Sequence, residues 1–195
     1  MSSVTRNIRF VAAALSLIAA TTGATAEWKG PFNKHSFPHN FPAGWEADGR
    51  QFFVTQCARR DWEFSIRAVI NENGTVSPRP GTPRISDKKW HIGKAGTHLR
   101  EGATYSYGGK EVDCKKHVVF APENPSDFHW VEASNGEVPA GAVRGFNDNE
   151  RQVVCRIPWE GGLHPGKLIP SSKACFIGYG DHERALSGYE VLVRK

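Results

Sequence analysis

Tyr179-Gly180-Asp181-His182-Glu183 repeats Tyr107-Gly108-Gly109-Lys110-Glu111 at an offset of 72 residues, and the likeness runs outward from there. Upstream, His164-Pro165-Gly166-Lys167 answers His91-Ile92-Gly93-Lys94, Cys155 answers Cys57, and Pro139-Ala140-Gly141 answers Pro42-Ala43-Gly44. Downstream, Val191 answers Val119. Offsets are 97 to 98 up to Cys57 and 72 to 73 from Trp90 onward, so the first copy carries one insertion of about 25 residues between those marks. Ordered marks in duplicate mean a structural unit built twice.

The unit reads as all-β. Twenty glycines, 12 prolines and a single methionine accompany short apolar runs, and no 3.6-residue period persists past the N-terminus. Strands are expected over Gln51 to Arg59, Lys116 to Ala121, Phe128 to Ala133, Gln152 to Ile157, Ala174 to Gly178 and Tyr189 to Arg194. In the insertion, Trp62 to Arg67 alternates apolar and polar residues, as a half-buried strand does. Asn73-Gly74 then signals a tight hairpin turn, and Thr75-Val76-Ser77 begins a return strand that Pro78, Pro80 and Pro83 end. The organisation expected is a first repeat over 27–121 with a hairpin and loop insertion at about 66–89, a link at 122–126 and a second repeat over 127–195. Either repeat alone buries too little surface and leaves open strand edges. The two are therefore expected to pack as one pseudo-twofold antiparallel β domain, with exchange of strands open to them.

Residues 1–26 have the form of a secretory signal: Arg6 and Arg9, an apolar run from Phe10 to Ala20, then Ala24-Thr25-Ala26 ahead of Glu27. The run is too short to span a bilayer. The expected location is extracellular, or periplasmic in a Gram-negative host. Removing this segment takes two arginines from a formal charge of +5 and leaves +3. That dispersed excess points to no nucleic-acid partner and to no membrane insertion. Cys57, Cys114, Cys155 and Cys175 all follow the signal, and an even count in an oxidising compartment implies two disulfides. Of three pairings, the equivalence of Cys57 and Cys155 favours bridges within copies, Cys57 to Cys114 and Cys155 to Cys175.

The usual catalytic signatures are missing. Gly161-Gly162-Leu163-His164-Pro165-Gly166-Lys167 approaches a phosphate-binding loop, but Leu168 stands where a Ser or Thr should hold magnesium, and Pro165 removes a cradling N–H. The histidines have no ligand spacing, so neither metal nor cofactor is expected, and no enzymatic activity. What remains is a Gly-Lys turn in each copy with an acidic turn before it: Lys94 with Asp48 or Glu46, and Lys167 with Asp148 or Asn147. An ammonium donates three hydrogen bonds and a carboxylate only accepts, which together suit the vicinal hydroxyls of a sugar. Trp45, Trp90 or Trp159 can cover an apolar sugar face. Ordinary turn lysines beside surface acids, worth ~0 to 1 kcal/mol, fit these residues equally well.

Val138-Pro139-Ala140-Gly141-Ala142-Val143, Val154-Cys155-Arg156, Pro165-Gly166-Lys167, Cys175 to Gly180 and Tyr189 to Leu192 resemble the DM-nine repeat family, which includes bivalve mannose-binding lectins and the lectin module of natterin-like toxins. The likeness is good over Phe128 to Arg194 and weaker over Phe37 to Phe120. It implies two intertwined β repeats that bind mannose-type glycans without metal, through the lysine of the Pro-Gly-Lys turn and an acid of the preceding turn. The second copy departs at Gly145 to Glu150, where the acidic turn is shortened. The expectation is a secreted, lectin-like protein with two sites, open to homodimerisation. The alternative is a secreted effector or inhibitor acting through the insertion loop Asn71 to Asp87. A glycan-cleaving enzyme is a third reading, for which the sequence supplies no carboxylate pair. Asn73-Gly74-Thr75 is a glycosylation sequon in a eukaryotic host.

Overall fold

The computed structural model describes residues 28–33, 35, 37–58, 68–70, 76–78, 90–146 and 152–195; of 68–70 and 76–78 it describes the backbone alone. The signal segment 1–26, the stretch Trp62 to Arg67, the Asn73-Gly74 turn with its sequon, and Asn147 and Asp148 lie outside the described residues.

Among the described residues the chain is all-β. The strands are β1 (Trp28–Phe32), β2 (Pro42–Trp45), β3 (Gln51–Ala58), β4 (Ala68–Ile70), β5 (Val76–Pro78), β6 (Trp90–Ala95), β7 (Ala103–Tyr107), β8 (Lys110–Asp113), β9 (His117–Phe120), β10 (Phe128–Ser134), β11 (Val153–Trp159), β12 (Gly162–Ile169), β13 (Ala174–Tyr179), β14 (His182–Leu186) and β15 (Gly188–Arg194). In the insertion, β4 and β5 pair by themselves, Ala68 opposite Pro78 and Ile70 opposite Val76.

The main sheet runs β1-β9-β3-β6-β7-β8-β14-β13-β12-β11-β15-β10. By the repeat offsets, β8 answers β14, β7 answers β13, β6 answers β12, β3 answers β11 and β9 answers β15. The order is thus a palindrome read outward from β8 and β14, the pseudo-twofold arrangement expected. The two copies meet where His182 opposes Lys110, and the Glu111 and Glu183 N–H groups donate to the Asp181 and Gly109 carbonyls at 3.2 and 3.0 Å. A second seam forms at β2, which pairs with β3 of its own copy and with β12 of the other. That crossing needs Gly44, because a Cβ there would overlap the Leu163 carbonyl.

Tyr107-Gly108-Gly109-Lys110 and Tyr179-Gly180-Asp181-His182 are two-residue hairpin turns, with Tyr107 opposite Lys110 and Tyr179 opposite His182. Both central residues of each turn have positive φ: 60 and 82° for Gly108 and Gly109, 59 and 66° for Gly180 and Asp181. This is the type I′ geometry whose twist suits a β-hairpin. The duplicated motif is therefore a turn that delivers a glutamate to the second positions of β8 and of β14.

Each copy has its own core: Phe37, Phe53, Ala103, Tyr105 and Val119 in the first; Val153, Ile157, Leu168, Ile177 and Val191 in the second. Between them Trp28, Phe41, Val54, Ile92, Phe120, Phe128, Val154 and Leu192 form a shared core. Its centre is aromatic, with Phe120 edge-on to Phe128 at 5.0 Å and to Phe41 at 5.3 Å. Such pairs contribute ~0.5 to 1.5 kcal/mol beyond area burial, so the repeats stabilise one another.

The disulfides join Cys57 to Cys114 and Cys155 to Cys175, with Cα–Cα distances of 5.9 and 6.1 Å. These are the within-copy pairings expected. The bridges are not copies of each other, however. Cys175 opposes Leu186 across the β13–β14 hairpin, while Cys114 donates its N–H to Ala103 across the equivalent hairpin. The second half-cystine thus sits on opposite strands of the two hairpins. Replacing Cys155 and Cys175 by alanine should lower unfolding free energy by ~3 kcal/mol, the chain-entropy value for a loop of that length; urea denaturation of the variant checks it.

Candidate functional site

The Gly-Lys segments are not turns. His91 to Lys94 lies within β6 and Pro165 to Lys167 within β12, both in the interior of the sheet. The glycines are there for a different reason than a turn. A Cβ on Gly93 would overlap the Thr104 carbonyl oxygen, and one on Gly166 the Phe176 carbonyl oxygen. Glycine in a strand permits that close backbone approach.

This placement also buries the lysines, which as turn residues would stand exposed. Lys94 and Lys167 are each 2% exposed. Lys94 Nζ lies 3.4 Å from Glu111 Oε1, 3.5 Å from His164 Nδ1 and 4.7 Å over the Phe52 ring. Lys167 Nζ lies 3.8 Å from Glu183 Oε1, donates to the Ser106 carbonyl at 2.6 Å and sits 5.6 Å over the Tyr107 ring. Register explains the pairing. Lys94 opposes Thr104 and Ser106 opposes Glu111, so β6, β7 and β8 present Lys94, Thr104 and Glu111 on one face. Thr104 Oγ donates to Glu111 Oε1 at 2.8 Å. On the other side, β12, β13 and β14 present Lys167, Gly178 and Glu183 in the same way. Gly178 stands where the first copy has Ser106, and a Cβ there would press on Glu111 Cγ at 2.7 Å.

Each site draws on both copies. Glu111 Oε2 accepts the Asp181 N–H at 3.4 Å, and Glu183 Oε2 accepts the Gly109 N–H at 3.0 Å. Each acid thereby ties its own lysine to the other repeat's hairpin turn. Besides Phe52, Lys94 lies near the ring of Tyr179 of the second copy, at 5.6 Å; the ring near Lys167 is Tyr107 of the first. The tyrosines in turn contact His164 and His91, at 5.2 and 4.9 Å between ring centres.

The first site is further enclosed by Glu46, whose carboxylate lies 3.7 Å from His98 Nε2 and 4.0 Å from His164 Nε2. Burial, aided by the Lys94 charge, pushes the His164 pKa down to about 4. The ring is therefore neutral near pH 7. Its Nε2–H donates to the Trp159 carbonyl at 3.2 Å, and its Nδ1 accepts from Lys94. Burial likewise lowers Lys94 itself, against the pull of Glu111 and Glu46.

Of the first copy's two candidate acids, then, Glu46 reaches the lysine cluster and Asp48 does not. Asp48 is exposed and bound to Arg50, which donates its Nε–H to Oδ2 at 2.7 Å and its backbone N–H to Oδ1 at 3.1 Å. That hydrogen bonding holds the Asp48 carboxyl below its usual range. The acids that pair the lysines, Glu111 and Glu183, were not among the candidates. Their signal was the invariant glutamate that closes both copies of the Tyr-Gly-x-x-Glu motif. In the second copy Asn147 and Asp148 lie outside the described residues. The chain on either side of them is fixed: Phe146 donates its N–H to Gln56 Oε1 at 2.7 Å, and Gln152 Nε2 lies 3.2 Å from His91 Nδ1. Among the described residues no group of three His, Cys, Asp or Glu side chains is disposed to hold a metal ion, and no helix is long and apolar enough to cross a membrane.

No curated protein matches the chain in sequence. Among solved structures it is similar to the nematode sperm cell motility protein MFP2B, with a TM-score of 0.48 and 16% identity over 86% of this chain and 47% of that one. The chain thus spans about half the length of that protein. The DM9 repeat model matches residues 84–186, a stretch that holds both lysines and both glutamates. With more than half of its length so matched, the chain belongs to the DM9 repeat family.

Proposed function

We propose that this protein is a secreted, lectin-like carbohydrate-binding protein that recognises mannose-type glycans at two sites, one beside each buried lysine. Its family is associated with carbohydrate-binding modules, and the two disulfides suit an oxidising compartment. The observation that carries the reading is the constellation built twice: a lysine, a glutamate, and the tyrosine and hairpin turn of the opposite repeat.

The burial of the lysines divides the work. Lys94 and Lys167 lie beneath, and the side chains of Glu111 and Glu183, 15 and 16% exposed, reach solvent. In this reading each lysine fixes its carboxylate in one orientation. The carboxylate then accepts hydrogen bonds from a pair of adjacent hydroxyls. Glu46, 19% exposed, adds a second acceptor at the first site, and Asn147 or Asp148 would do so at the second. Two such sites on one rigid body gain by avidity on a dense glycan surface, by ~10²-fold or more where the spacing fits.

The test is retention on immobilised mannan with elution by free mannose. The Glu111→Gln/Glu183→Gln variant keeps size and hydrogen-bonding shape but loses charge. It should bind at least ~10-fold more weakly, the loss expected of a charge-assisted hydrogen bond at each site. Failure of the native protein to bind, or unchanged binding by the variant, refutes the reading.

A further inference from the structure

Beside the first lysine site lies a groove of about 580 Å³, lined by Trp45, Pro158, Trp159, Glu160, Leu163 and Leu186, a volume within the range of small-molecule sites. Trp45 is the large apolar side chain exposed among the described residues, at 48%. Arg184 holds its guanidinium 5.6 Å from the Trp159 ring at the groove's edge. The groove and the lysine site share backbone. Trp45 precedes Glu46, and Leu163, which opposes Trp45, precedes His164. Gly162 marks the seam, since a Cβ there would press on both His164 Nε2 and the Trp45 carbonyl at 2.6 Å.

Resting on the sugar-binding reading, we propose that this groove is a second subsite of the first site alone. It would take the apolar face of a neighbouring pyranose, in an oligosaccharide whose end unit is held by Glu111 and Glu46. An indole presents a flat, apolar surface with a negative face, which suits the C–H groups on one side of a pyranose ring. Glu160, Glu46 and Arg184 supply polar groups at the rim for the hydroxyls at the ring's edge. A peptide segment fits the groove's area less well, because the groove adjoins, through Glu46 next to Trp45 and His164 next to Leu163, a cluster of two carboxylates, two imidazoles and an ammonium. The second site lacks the floor: by the repeat offset Ala142 stands in place of Trp45, and Ala142 is bridged to Val193. The two sites are therefore unequal, the first reading an extended glycan and the second a single terminal unit.

The experiment is calorimetric titration of the native protein, Trp45→Ala and Trp45→Phe with mannose and with a linear mannotriose. The native protein should bind mannotriose at one site ~10-fold more tightly than mannose. Trp45→Ala should erase that preference while leaving mannose affinity unchanged, and Trp45→Phe should restore part of it. Because Trp45 is half exposed, its truncation leaves the fold intact, and a thermal melt verifies this. A preference that survives in Trp45→Ala, or is absent from the native protein, overturns the subsite while the sugar-binding reading stands. If the native protein binds neither sugar, both fall. Should Trp45→Ala instead abolish self-association in sedimentation, with sugar binding unchanged, the groove is a contact between copies and the proposal is overturned.

Discussion

Gly93→Ala and Gly166→Ala should each destabilise the protein by on the order of 4 kcal/mol, and the double variant should not fold. Overpacking a well-filled interior costs roughly 1 to 3 kcal/mol when side chains can shift. Here the obstacle is main chain. The new methyl would overlap the Thr104 carbonyl oxygen in one copy and approach Tyr105 Cα at 2.9 Å. In the other it would overlap the Phe176 carbonyl oxygen and approach Ile177 Cγ2 at 2.8 Å. Relief requires parting β6 from β7, or β12 from β13, which breaks the ladder that sets each lysine against its glutamate. Gly188→Ala is the control. It lies in β15 with nothing within 4 Å of a built Cβ and no positive φ, so alanine should change stability by ~0.5 kcal/mol or less. Urea denaturation of the three single variants decides the matter. Equal midpoints for Gly93→Ala and Gly188→Ala would mean that β6 and β7 are not packed as described.

These glycines also show where reading the sequence alone stops. The duplication carried the larger architecture: once the marks of the two copies were aligned, pseudo-twofold packing and the within-copy disulfides could be expected, while the strand order itself could not. Strand positions such as Gln51 to Ala58 or Phe128 to Ser134 follow from short apolar runs, continuous in the first and partly alternating in the second, which are a local property. Gly-Lys was read as a turn because glycine and a charged residue are ordinarily exposed. Nothing local distinguishes a glycine that bends the chain from one that admits a neighbouring carbonyl. The same limit hid the acids. Glu111 and Glu183 sit 17 and 16 residues beyond their lysines in the chain, and only the register of three adjacent strands puts them on a common face. Asp48 and Glu46 share one polar turn ahead of a strand, and nothing local chooses between them. In the fold Arg50 claims Asp48.

A fall in pH from 7 to 4.5 should strip this protein of several kcal/mol of stability, through two histidines that the fold keeps neutral. His117 and His164 are each wholly buried, and burial pushes both pKa values down to about 4. The Cys114 backbone offsets only part of the effect of burial on the His117 ring, and the Phe37 ring stands edge-on to it at 5.8 Å; at His164 the charge of Lys94 adds to the effect of burial. In the unfolded chain both imidazoles take up protons near pH 6.5, the ordinary value, while in the folded chain they do so only near 4. Between those limits the unfolded state binds more protons, so stability is full above about pH 6.5 and declines as pH falls toward 4. A displacement of that size is worth ~3 kcal/mol for each ring, and the two together rival half the stability of an ordinary domain. Urea midpoints measured from pH 7.5 to 4 should therefore drop steeply below 6.5. His117→Phe, which keeps an aromatic ring against Phe37 and cannot titrate, should remove about half of that slope. His164→Leu should remove a similar share, and because it also deprives Lys94 of an acceptor it should weaken sugar binding at the first site at neutral pH, where His117→Phe should not. A midpoint that stays level between pH 7 and 4.5 would show that neither ring is held uncharged, and with it would go the picture of a lysine set against a neutral imidazole.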